Sequence, residues 1–78
     1  MDARTVRETV IKPKLVELFG ASMATSLITS AVLAGLAGAS EQEKLALMTG
    51  CICSDPRVLG MWGNARAERQ KREWLTLL

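Results

Sequence analysis

A chain of 78 residues, 49% of them apolar, has room for one domain (residues 1–78) with a marginal core, because so short a chain hides only about 60% of the surface it exposes when unfolded. Its net charge of +2 gives no argument for nucleic acid, and the lack of histidine removes the commonest general base and metal ligand. Two cysteines separated by one residue exclude the long-loop disulfides of a small secreted scaffold, so reduced thiols and a cytoplasmic location are expected.

The composition is helical: Ala, Leu, Val and Met supply most of the apolar side chains, and Phe19, Trp62 and Trp74 are the only aromatic ones. Residues 2 to 12 read as a helix capped by Asp2, with Val6 and Val10 on one side, or as a strand favoured by Thr5, Val6, Thr9, Val10 and Ile11. Helix is preferred, because a lone strand has no partner in this chain. Pro13 either kinks that helix or begins the next. Leu15, Val16, Leu18 and Phe19 continue an apolar helical surface, which Gly20 ends as a left-handed stop.

The stretch from Gly20 to Ser40 carries no charge, and the rest of the chain flanks it. As a helix capped by Ser22 and ending near Gly38, it places Met23, Leu27, Ile28, Ala31 and Val32 on one half and Ser22, Thr25, Ser26, Thr29 and Ser30 on the other. Leu33 and Leu36 fall on the hydroxyl side, so the last turns are apolar all round. Ser22, Ser26, Ser30, Ala34 and Gly38, spaced by four, make a ridge of small residues that lets another helix come close. Together with Leu33 and Leu36 they form the expected self-association surface.

Arg4, Arg7, Lys12 and Lys14 precede this run, and Ala37-Gly38-Ala39 closes it, as in a secretory leader. The basic region is too long and holds Glu8 and Glu17, so no leader is expected. Roughly 20 residues span a bilayer, which makes a membrane subunit with one spanning helix (20–40) the alternative reading, with Trp74 as interfacial anchor. The hydroxyls and glycines between Ser22 and Gly38 make insertion marginal.

Ser40-Glu41-Gln42-Glu43 is a capping box and starts a further helix, whose apolar arc comprises Leu45, Met48, Cys51 and Ile52, with Leu47 at its edge and Thr49 off it. On a helix Cys51 and Cys53 point about 160 degrees apart and cannot share an ion. Asp55-Pro56 caps and opens the last helix, with Val58, Leu59, Met61, Trp62 and Ala65 inward and Gly60 and Gly63 allowing close packing beside Trp62. Beyond Arg66 the helix is solvated, with Glu68–Arg72 and Arg69–Glu73 at i, i+4 spacing.

No catalytic, cofactor or metal motif is present, so the expectation is a non-enzymatic protein. Arg66, Arg69, Lys71 and Arg72, with a helix-turn-helix length around Gly50 to Pro56, sustain a dimeric DNA-binding regulator only as a second alternative. The reading is an all-α bundle of three to four helices completed by self-association, an adaptor or regulatory protein whose Trp62 surface or Trp74, Leu75, Leu77 and Leu78 tail meets another protein.

Overall fold

The computed structural model describes residues 2–78. Asp2 is an N-cap, its carboxylate accepting from the Thr5 N–H at 2.7 Å. A continuous rod follows: α1 (Ala3–Val6), a π-helical turn (Arg7–Ile11) and α2 (Lys12–Phe19). The strand reading therefore fails, and no strand occurs among the described residues. Pro13 explains the π turn. It offers no N–H to the Thr9 carbonyl, and its ring would crowd that carbonyl in a regular helix. Widening the preceding turn, with the Lys12 N–H donating to the Arg7 carbonyl, admits the proline without breaking the rod. The inner face consequently steps by five, from Val6 to Ile11, before resuming with Leu15, all fully buried. Val10, expected beside Val6, is only half-buried.

Gly20 joins the rod to α3 (Ala21–Gly35) by itself. Its N–H donates to the Val16 carbonyl at 2.9 Å, and its own carbonyl accepts from the Ala24 N–H at 3.0 Å. With φ 87° and ψ 161° the residue has the positive φ foreseen but an extended ψ, a combination confined to glycine. Gly20 thus ends one helix and begins the next, and Ser22 lies inside α3 rather than capping it.

α3 stops at Gly35, short of Gly38, through tight bonds from Leu36, Ala37 and Gly38 back to Leu33, Ala34 and Gly35. α4 (Glu41–Ser54) presses directly on this turn. A Cβ on Gly38 would stand 2.6 Å from the Lys44 backbone nitrogen, and one on Gly35 would stand 2.9 Å from the Met48 side chain. The capping box forms, Ser40 Oγ accepting from the Glu43 N–H at 3.1 Å, although Glu43 reaches back to the Ala39 N–H rather than to that of Ser40.

Asp55 alone links α4 to α5 (Pro56–Leu75), accepting from the Arg57 N–H at 2.9 Å. α5 is bent at Gly63, where φ 76° and ψ 164° repeat the geometry of Gly20. Gly60 and Gly63 have open space where a side chain would stand, so they do not serve close packing. The bend resets the inner face: Val58 and Trp62 are buried before it and Ala67, Gln70 and Trp74 after it, while Met61 and Ala65 face outward.

α3 packs on α2 and on α4, and α4 packs on α5. The far limb of α5 returns to the rod, where Lys14 donates to Gln70, which donates to Glu73. Sandwiched between α3 and α5, α4 buries a wider arc than its sequence suggests. Thr49 is fully buried, its hydroxyl returned to the Leu45 carbonyl at 2.9 Å, and Cys53 is buried while Cys51 is half-exposed. The radius of gyration, 11.2 Å, matches the roughly 11.5 Å of a compact monomer of this length.

Candidate self-association surface

The inner side of α3 is used up within the chain: Ala24, Leu27, Ile28, Ala31 and Gly35 are buried. Its outer side is not, for Leu33 is 65% exposed and Leu36 74%, the two most exposed large apolar side chains described. Ser22, Ser26 and Ser30 are exposed beside them, whereas Ala34 is half-buried and Gly38 lies against Lys44. The expected ridge therefore splits. Steps of four residues turn about 40 degrees further round a helix each time, so a ridge that starts outside at Ser22 ends inside at Gly38.

The stripe that stays outside alternates steps of four and three: Ser22, Ser26, Thr29, Leu33 and Leu36, all exposed. Such spacing averages 3.5 residues and is the seam of a two-helix coiled coil. Of its three hydroxyls, that of Thr29 is satisfied within the helix. Thr29 Oγ1 donates to the Thr25 carbonyl at 2.8 Å and Thr25 Oγ1 to the Ala21 carbonyl at 2.9 Å, which satisfies both within the helix. Ser26 Oγ, in the seam, accepts from the Arg57 guanidinium at 3.3 Å.

The residues expected to meet a different partner are placed otherwise. Trp62 and Trp74 are 8% and 2% exposed, so neither presents a surface. Trp62 sits between Phe19 and Trp74, with ring centroids 6.1 and 6.2 Å away, and Arg66 lies over it at 5.4 Å. Its indole N–H is buried with no hydrogen-bond partner among the described residues. In so small a chain the large rings are what fill the core. Leu75 is half-buried, and of that tail only Leu77 and Leu78 are exposed apolar groups.

Among the described residues no three His, Cys, Asp or Glu side chains gather as a metal site. Burial pushes the Cys53 thiol up to about 11, and α4 runs through Cys51-Ile52-Cys53, so the two sulfurs diverge. The single-residue link at Asp55 is shorter than the turn of a helix-turn-helix, and the Glu68–Arg72 and Arg69–Glu73 pairs are not formed. Among the described residues no helix is long and apolar enough to cross a membrane: the 15 residues of α3 reach about 22 Å, against about 30 Å of hydrocarbon.

No family model, curated protein or solved structure matches this chain. The residues themselves carry the functional reading.

Proposed function

We propose that this is a non-catalytic helical protein that pairs with a second copy of itself through the outer face of α3 and acts as a small adaptor or regulator. The observation that carries the reading is the exposure of Leu33 and Leu36 at one end of a seam whose other end is Ser22 and Ser26. That seam is self-complementary in one direction. In an antiparallel two-fold pair, Ser22 stands opposite Leu36, Ser26 opposite Leu33, and Thr29 meets its own copy, so each leucine enters a gap left by a serine. In a parallel pair leucines would meet leucines while serines faced serines across empty space.

The described core is enclosed by the chain's own helices, and pairing covers the outer face of α3 that they leave exposed. A single helix pair supports a concentration-dependent dimer. Leu77 and Leu78 are the remaining apolar groups through which another protein could be held.

Light scattering across a concentration series tests the proposal. The mass should rise toward that of two chains, and Leu33→Glu should hold it at one chain without changing the helical circular dichroism. A wild-type chain that stays monomeric at millimolar concentration sinks the reading.

A further inference from the structure

Where α3 ends, its last turn leans over a cleft of about 420 Å³ between the first rod and the start of α4. That volume falls in the range of small-molecule sites, roughly 300–1,000 Å³. Its lining combines the apolar side chains of Val32, Leu36 and Met48 with the charged ones of Arg4, Arg7, Lys44 and Glu41.

The lining already holds a carboxylate. Glu41 accepts from the Ala3 N–H at 3.0 Å and pairs with Lys44 at 3.2 Å, while Arg7 pairs with Glu8 at 3.1 Å. Arg4 is left over, with neither ion pair nor side-chain hydrogen bond among the described residues. Arg7 and Lys44 are thus each paired with a carboxylate, and Arg4 is the lining cation whose charge is left for a ligand, near the apolar Val32, Leu36 and Met48.

We propose that this cleft binds a small free amphiphilic anion, its anionic head on Arg4 and its short hydrocarbon tail against Val32, Leu36 and Met48. Both ends contribute: a head alone would leave the apolar wall wet, and a cationic head would meet Arg4, Arg7 and Lys44. The site shares Leu36 with the proposed pairing face but not Leu33, so a change at Leu33 removes pairing without altering the lining.

The test is a titration of the full, isotope-labelled chain with octanoate, followed through the amide signals of Ala3, Gly35, Gly38, Lys44 and Met48. Saturable shifts at these positions are expected, weakened about tenfold by Arg4→Glu, as loss of a charge-assisted contact implies. Arg4 is exposed in the first turn of its helix, where an acidic residue suits the helix dipole, so that variant should fold. Leu33→Glu should bind octanoate like the wild type, which separates this site from the pairing surface. The proposal is overturned if octanoate fails to saturate, if octyltrimethylammonium or inorganic phosphate binds as well, if Arg4→Glu binds unchanged, or if only anionic vesicles shift these amides.

Discussion

Phe19 and Trp62 touch with ring centroids 6.1 Å apart, and each is the residue immediately before a glycine of the same backbone geometry, Gly20 and Gly63. At both places the chain turns sharply enough to bring an aromatic ring inward just before the bend. The two bends are therefore braced against each other through their rings, one joining α2 to α3 and the other dividing α5.

Gly20→Ala and Gly63→Ala should each destabilise the protein by about 1–3 kcal/mol in urea titrations, although open space surrounds both positions. The cause is the positive φ. Gly60→Ala, in a helical and equally open position one turn earlier, should instead stabilise by about 0.5–1 kcal/mol. Equal effects at Gly60 and Gly63 would contradict the bend.

Gly38→Ala should be worse than Gly35→Ala. The first sets a methyl against the backbone of Lys44, which cannot yield without moving α4, and the second meets the flexible Met48 side chain. Urea midpoints in that order, both below wild type, are the expected result.

Acid should loosen the helix starts. Hydrogen bonding from Thr5 holds Asp2 below its ordinary 3.8, the Arg57 side chain does the same for Asp55, and the Ala3 N–H followed by Lys44 holds Glu41 below 4.5. A carboxylate with a depressed folded-state value contributes stability that is complete above its unfolded value and lost as pH falls through the folded one. Urea midpoints should thus be flat above about pH 5 and decline below about pH 4. Glu41→Gln should make that decline shallower.

Cys53 should resist alkylation in the native protein at pH 8, while half-exposed Cys51 reacts. Mass mapping after iodoacetamide, with and without denaturant, distinguishes the two. Because burial raises the Cys53 value, the stability tied to its neutral thiol is complete below its ordinary 9.0 and is lost as pH rises through about 11.

The direction of α3 pairing can be read by cross-linking in a Cys51→Ser background. A mixture of Ser26→Cys and Leu33→Cys chains should form a mixed disulfide faster than either variant alone, since those positions face each other only in the antiparallel arrangement. Faster bridging within Ser26→Cys alone would mean a parallel pair.

Local chemistry was legible from the residues. Asp2, Ser40 and Asp55 cap the helices they were expected to cap, because a cap depends on a few consecutive residues and their own backbone. Most of the buried half of α3 was legible too, since a helix repeats its faces at a fixed angle: Leu27, Ile28 and Ala31 are buried as expected, while Met23 and Val32 are half-buried and Ala24 and Gly35 are buried instead. The failures lie where that angle is interrupted. The π turn ahead of Pro13 moved the inner position from Val10 to Ile11, and the bend at Gly63 replaced Ala65 with Ala67. Neither interruption changes composition, so neither shows in the periodicity.

What the chain order alone determined is the all-helical class, the caps at Asp2, Ser40 and Asp55 and the uncharged character of α3, all of which follow from propensity and short-range spacing. Tertiary structure decided which greasy groups the molecule keeps for itself. It enclosed Trp62 and Trp74, pressed Gly38 onto Lys44, drew Thr49 into the core, and left Leu33 and Leu36 outside. That division depends on which helix lies against which, and contacts between residues distant in sequence set it rather than any one segment's pattern.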